Sequence, residues 1–178
     1  MKSDDSVWVF GYGSLIWRPD FPYLEKRTAY LPGYERRFWQ GSHDHRGTPE
    51  APGRVVTLIP SDGARCIGTA YLLEADTVHQ TFEQLDFREK NGYERFEVKL
   101  DLEDGSALAA LIYIATEDNF AYAGETPLHE LAEIIARSSG PSGANKDYLY
   151  ELANALRSIG AHDPHIYELD ALVRALDS

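Results

Sequence analysis

Val7-Trp8-Val9-Phe10-Gly11-Tyr12-Gly13-Ser14-Leu15 is the stretch from which the fold of this chain can be read. Val7 to Phe10 are β-branched or aromatic, the residue types that suit a pleated strand. Gly11 and Gly13 follow at once; each frees the backbone to take positive φ and lets a ligand come close. A strand ending in such a turn aims several N–H groups into one concavity, which suits a carboxylate or a developing oxyanion. The same residues also make an ordinary strand–turn, and a two-glycine spacing alone does not choose between the two. The pattern is neither a dinucleotide G-x-G-x-x-G, nor a phosphate-binding G-x-x-x-x-G-K-[ST], nor the G-x-S-x-G elbow of a serine hydrolase.

Working outward, β-rich runs recur at Arg27–Leu31, Glu35–Trp39, Arg54–Ile59, Ile67–Leu73, Tyr93–Leu102 and Ala107–Thr116. Pro32-Gly33, Ser61-Asp62-Gly63 and Asp104-Gly105 separate them as turn signals. Glu103-Asp104-Gly105 joins two long runs into a hairpin. Gly41 to Gly53 is a polar loop, long for a compact domain, and loops of that kind are often functional. A helix is predicted over Asp76–Lys90, with Val78, Phe82, Leu85 and Glu89 on one face and Asn91-Gly92 as its stop. The last third is helical at Pro127–Arg137, Asn145–Ile159 and Pro164–Leu176; the prolines suit first turns and Asn145 suits an N-cap. The expected architecture is α+β, a strongly curved, mostly antiparallel sheet or small barrel with helices outside it.

At 178 residues the chain is long enough for one domain with a real core, so residues 1–178 are expected to form a single domain. No charged-then-apolar leader is visible at Met1–Ser6, and the longest apolar run, Ala107–Ala115, is too short to span a bilayer. Cys66 is the only cysteine, which rules out an internal disulfide and a thiol-rich metal site. A cytoplasmic setting is expected. The net charge of −12 argues against nucleic acid and anionic membrane as partners, since both need a basic face. It also repels an anionic substrate, so such a substrate needs locally concentrated arginine. Arg36, Arg37, Arg46 and Arg54 supply that concentration early in the chain. Arg46, in the polar loop, and Arg54, just after it, are expected to hold substrate carboxylates through bidentate pairing.

Glu89 stands out among the 29 acidic residues. It falls in the last turn of the predicted helix, where the macrodipole disfavours negative charge, and it projects with Phe82 and Leu85. Both effects raise its pKa and make it a better proton acceptor near neutrality. It can equally be an ion-pair partner for Arg88 or Lys90. His43-Asp44-His45 lacks a further ligand at a recognisable spacing, so no metal is expected there. Ser14 has no base-orienting partner at a readable spacing, which leaves little for a nucleophile to work with. Gly140-Pro141-Ser142-Gly143-Ala144-Asn145 turns the chain before a helix, whose N-terminus can also bind an anion. Tyr113, on the last predicted strand, has an apolar body and a polar tip that can face a pocket.

Taken together, V-W-V-F-G-Y-G-S-L-I-W, R-R-F-W-Q-G-S-x-D-H-R-G, P-G-R-V-V-T-L, L-D-F-R-E-K and G-P-S-G-x-N-x-x-Y-L resemble the ChaC family, the glutathione-specific γ-glutamylcyclotransferases. The resemblance runs from Val7 to about Val173, in the family's order and spacing. It implies the cyclotransferase-like fold, a small β-barrel with flanking helices. It implies that Phe10, Gly11, Tyr12, Gly13, Ser14 and Leu15 hold the γ-glutamyl portion of the substrate, and that Glu89 is the catalytic acid/base. The products are then 5-oxoproline and cysteinylglycine, with no cofactor or metal required. The helix end departs from the family's R-E-K-G-G-Y as Arg88-Glu89-Lys90-Asn91-Gly92-Tyr93; asparagine enters the left-handed region readily enough to keep the turn. Met1–Ser6 form an extension with no assigned role. The alternatives are a cyclotransferase of broader γ-glutamyl range, or a regulatory module that uses the fold without turnover.

Overall fold

The structure, a computed structural model, describes residues 7–89 and 92–177. The expected extension at Met1–Ser6 and the expected Lys90 and Asn91 parts of the helix stop lie outside them. Five strands close into a barrel in the order β1-β3-β2-β4-β5: β1 Val7–Gly11, β2 Glu25–Ser42, β3 Gly53–Leu73, β4 Tyr93–Leu102 and β5 Ala107–Ala115. β1 runs antiparallel to β3, from Val7 opposite Leu73 to Gly11 opposite Thr69, and meets β5 in parallel at Val9 and Leu111. β4 and β5 form the expected hairpin, with Tyr93 opposite Ala115 and Asp101 opposite Ala107.

Two expected turns are not turns. Pro32-Gly33 lies inside β2 and Ser61-Asp62-Gly63 inside β3, so four predicted strands merge into two long ones. Gly33 and Gly63 do take positive φ, at 85° and 79°. A single left-handed residue bends a strand as a bulge does, without ending its ladder. Composition shows that the backbone turns left-handed there and does not show whether the pairing continues.

The described residues form two compact units, 7–35 with 60–115 and 36–59 with 116–177, and β2 and β3 each pass from one to the other. The first unit holds β1, β4, β5 and helix α1, Val78–Arg88. Its core gathers Val9, Leu15, Phe21, Tyr71, Leu73, Phe82, Leu85 and Tyr113. Phe82 and Leu85 from α1 thus share a core with β1 and β3, which fixes where the helix ends.

The second unit carries a two-residue hairpin, β6 Ser139–Gly140 with β7 Gly143–Ala144, and helices α2 Leu128–Arg137, α3 Asn145–Ser158 and α4 Pro164–Asp177. Each helix buries one stripe: Leu131, Ala132 and Ile135; Tyr148, Leu149, Leu152, Ala153 and Leu156; Ile166, Leu169, Asp170 and Val173. The start of α4 is pinned to β2. Phe38 N–H donates to His165 Nε2 at 3.1 Å, and the buried Arg36 guanidinium donates to Asp163 at 2.7 Å. Burial pushes the His165 imidazole down to about 4, with the Arg37 charge adding to the effect, so the ring stays a neutral acceptor. Asn145 is not the expected N-cap. It is the first residue of α3, fully buried, and its side-chain amide pairs with the backbone of Arg54, accepting from N–H and donating to C=O at 2.8 Å each.

Candidate active site

The turn after β1 is built by close approach rather than by left-handed backbone. Neither glycine of the motif has positive φ, and Gly13 sits at φ −126°. A Cβ on Gly11 would come within 2.7 Å of the Leu15 Cβ, and one on Gly68 within 2.3 Å of the Gly11 carbonyl oxygen. The expectation of positive φ is therefore corrected at both glycines, and at Gly11 it is space that requires glycine. Ser14–Ile16 form one turn of 3₁₀ helix, closed by Ile16 N–H to Gly13 C=O at 3.0 Å and Arg18 N–H to Ser14 C=O at 2.8 Å.

Two side chains from other elements and one of the turn's own hold it in place. The Tyr71 hydroxyl of β3 donates to the Leu15 carbonyl at 2.6 Å, and its pKa is raised by burial. The Tyr12 hydroxyl donates to the Tyr113 carbonyl of β5 at 2.5 Å. Arg88, the last residue of α1, donates to Ser14 Oγ at 2.7 Å and to the Arg18 carbonyl at 3.0 Å. Phe10 and Leu15 are buried in the barrel core, so their side chains serve packing. Ser14 has no imidazole on its hydroxyl; its partner is a guanidinium, which cannot accept a proton, and this agrees with the weak case for a nucleophile.

Glu89 follows Arg88 as the C-cap of α1, one residue beyond the helix rather than in its last turn. Its N–H donates to the Leu85 carbonyl at 2.9 Å, which anchors it beneath the buried Phe82–Leu85 stripe. The residue is half-buried. Among the described residues no side chain hydrogen-bonds its carboxyl. Burial pushes that carboxyl up to about 7, and the Arg88 charge pulls the other way without winning. The ion-pair alternative is thus not what Arg88 does, since its guanidinium is directed at Ser14 and Arg18. Lys90, the other candidate partner, lies outside the described residues. A carboxyl of this kind is half ionised near neutral pH and can both accept and return a proton.

Tyr113 reaches α1 as well. Its hydroxyl donates to Asp86 at 2.5 Å, burial and then Asp86 raise its pKa, and Arg95 lies 3.6 Å from the same carboxylate. The structure thus brings Tyr12, Ser14, Leu15, Tyr113 and the α1 end that carries Glu89 into one unit. Arg46 and Arg54 belong to the other. Arg46 is buried, donates to the Ala144 carbonyl at 3.1 Å and stacks over the Tyr148 ring. Arg54 donates from Nη1 to the Phe38 carbonyl and to Thr126 Oγ1, at 3.2 and 3.1 Å. Sequence reasoning missed Arg88 as the clamp on the turn, although the L-D-F-R-E-K run contains it. It also missed Tyr71, which no local pattern marks.

Among the described residues, no three of His, Cys, Asp and Glu come together to hold a metal ion. No described helix is long and apolar enough to cross a membrane.

Comparison with known proteins gives the same picture from outside. The sequence pattern of the family described as ChaC-like protein matches residues 7–176. The chain is 40% identical to Gamma-glutamylcyclotransferase 2-3 of Arabidopsis thaliana over 177 residues, covering 95% of this chain and 89% of that one. It is also 40% identical to Glutathione-specific gamma-glutamylcyclotransferase 1 of Danio rerio, covering 96% and 90%. A crystal structure of a gamma-glutamyl cyclotransferase specific to glutathione from yeast superposes with a TM-score of 0.91 at 33% identity, covering 96% of each chain. That likeness bears out the expected barrel with helices. The chain belongs to the ChaC-like family.

Proposed function

We propose that this chain is a γ-glutamylcyclotransferase that cleaves glutathione to 5-oxoproline and cysteinylglycine. The observation that carries the proposal is a carboxyl lifted to about 7 at the end of a helix whose preceding residue, Arg88, clamps the glycine turn. Relatives of the same family bear the name glutathione-specific, and they span the chain almost end to end.

The chemistry follows from the parts. The α-amine of a γ-glutamyl group can reach its own γ-carbonyl carbon and close a five-membered lactam. Intramolecular attack of this kind gains roughly 7–11 kcal/mol when well oriented. The enzyme therefore has two tasks, to hold the substrate folded and to move two protons off the attacking nitrogen, one of them to the departing nitrogen. At neutral pH the amine is mostly an ammonium ion and carries no free electron pair. Ionised Glu89 takes its proton, and the free amine adds to the γ-carbonyl carbon. As the C–N bond breaks, Glu89 gives that proton to the departing amide nitrogen and takes the second proton that the attacking nitrogen sheds to become the lactam N–H. Cysteinylglycine thus leaves as a free amine, and Glu89 passes the last proton to it or to water. A carboxyl near 7 suits both transfers, because it lies between an ordinary acid and the ammonium it serves. The Phe10–Leu15 turn holds the γ-glutamyl portion, its position fixed by Tyr71, Tyr12 and Arg88.

The test is direct. Purified protein incubated with glutathione is expected to release 5-oxoproline and cysteinylglycine, with γ-glutamyl-alanine and oxidised glutathione poor substrates. Equal kcat/KM for γ-glutamyl-alanine would instead favour a cyclotransferase of broader range. Activity is expected to persist in EDTA, and reversible loss on chelation would overturn the metal-free mechanism.

A further inference from the structure

The second unit contains a cavity of about 750 Å³ that none of this chemistry uses. Its size falls in the range of small-molecule sites, roughly 300–1,000 Å³. Arg54, Arg137, Glu50, His43, Phe120 and Tyr122 are among the residues that line it. We propose that this cavity binds a small molecule with a carboxylate and an apolar or aromatic body, the carboxylate held by Arg54 and Arg137.

Arg54 is fixed before any ligand arrives. Asn145 pins its backbone through two 2.8 Å bonds, and Phe38 and Thr126 hold one guanidinium nitrogen. Its Nε and Nη2 are left with no hydrogen bond among the described residues, so a donor edge remains for a bidentate acceptor. Burial lowers its pKa, and the Glu130 charge offsets part of that cost. Arg137, at the end of α2, is exposed and makes no ion pair or hydrogen bond among the described residues. Glu50 is the single carboxylate on the wall, so the guanidiniums outnumber it. In a chain of net charge −12, two guanidiniums among the lining residues supply the local positive charge an anion needs, set against the Glu130 charge that acts on Arg54 and the Glu117 and Glu125 charges that act on Tyr122.

The apolar half of the ligand is indicated by Phe120. It is 76% exposed, the most exposed of the large hydrophobic side chains among the described residues. Its ring lies 6.2 Å from the His43 ring, making an aromatic ledge on the cavity wall. A ligand ring or apolar chain laid there covers surface that the fold leaves in water.

N-benzoylglycine carries both features and lacks a γ-glutamyl group, so its binding is independent of the cyclotransferase reading. Calorimetric titration is expected to show one saturable site, with N-benzoylglycinamide at least about tenfold weaker because it cannot pair ionically with arginine. Arg54→Gln is expected to weaken the acid about tenfold or more, and Arg137→Gln about three- to fivefold. Arg54 also holds backbone, so the exposed Arg137 carries the test should the first variant fail to fold. Equal binding of acid and amide, binding unchanged in Arg137→Gln, or no saturable binding at millimolar concentration would overturn the proposal.

Discussion

Asp170 in the second unit and Glu89 in the first are both carboxyls drawn away from water, and their surroundings treat them in opposite ways. Asp170 lies on the buried stripe of α4 with both oxygens occupied, Oδ2 by Arg157 Nη2 at 2.8 Å and Oδ1 by Arg174 Nε at 3.0 Å. Its charge is spent on holding α3 to α4. Glu89 has a cation as its neighbour in sequence, yet Arg88 directs its guanidinium at Ser14 and Arg18. Desolvation then dominates and lifts the carboxyl to about 7. Withholding a partner keeps a proton in play, while supplying two partners makes the same functional group structural. The two carboxyls differ in where the nearest arginine points, and the proton transfer proposed for Glu89 uses that difference.

The largest expected effect is at Glu89. Glu89→Gln keeps size and shape and removes the proton acceptor, so the chemical step is expected to fall by at least about 10²-fold. Folding and glutathione binding should largely survive, as circular dichroism and calorimetry would report. Glu83→Gln is the control: Glu83 is exposed on the same helix, and its neighbour at 3.2 Å is His79, which is exposed as well. It is expected to be nearly silent. Wild-type turnover by folded Glu89→Gln protein would break the mechanism.

Asp170→Asn should do the reverse, sparing turnover and costing stability. Removing one side of a fully buried pair costs about 3–5 kcal/mol, but both arginines here are half-exposed, so about 1–3 kcal/mol is the expected loss. Each kcal/mol lowers Tm by roughly 2–4 °C in a chain of this size. An Asp170→Asn protein that stayed folded and lost turnover would erase the distinction between the two carboxyls.

The same contrast explains what could be read from sequence. The position of Glu89 at the end of α1 was legible because it continues the period of Phe82 and Leu85, a local signal. The hairpin of β4 and β5 and the three late helices were legible for the same reason, their boundaries shifting by only a residue or two. The continuity of β2 and β3 was not, because a left-handed glycine reads alike in a turn and in a bulge. Nor was the role of Arg88, whose partners lie 70 and 74 residues away in the chain. Arg46 and Arg54 were singled out by charge, and composition says nothing of the bonds that already occupy them. Asn145 shows the same gap: a good cap residue by type, it is used 91 residues away to mimic a strand partner.

Arg88 gives a smaller, sharper test, since it both clamps the turn and pulls the Glu89 pKa down. The rising limb of kcat/KM with pH is expected near 7, where Glu89 ionises and becomes able to take the ammonium proton. In Arg88→Met the favourable charge is gone, so that limb should move to higher pH. KM should rise as well, because Ser14 and the Arg18 carbonyl lose their donor. An unshifted limb would mean that Arg88 acts on the turn alone.

The smallest expected effect concerns stability, and its sign follows from the same carboxyl. In the unfolded chain a glutamate titrates near 4.3, whereas folded Glu89 titrates near 7. The folded state therefore holds the proton more tightly, and ionisation works against folding. The stability this group contributes is complete below about pH 4, is lost as pH rises from there through 7, and is flat above. Glu89→Gln carries no such charge and is expected to escape the loss. Its Tm should match the wild type near pH 4 and exceed it at pH 8. With access to solvent at a half-buried site taken into account, a gain on the order of 1 kcal/mol, or about 2–4 °C, is expected. Glu83→Gln, exposed in both states, should show no pH-dependent difference. A Tm difference for Glu89→Gln that stayed constant from pH 4 to pH 8 would mean that burial does not hold the proton on Glu89. The contrast with Asp170 would then rest on pairing alone. A growing difference would mean that the fold gives up stability at neutral pH to keep one carboxyl unpaired, the opposite of what it does at α4.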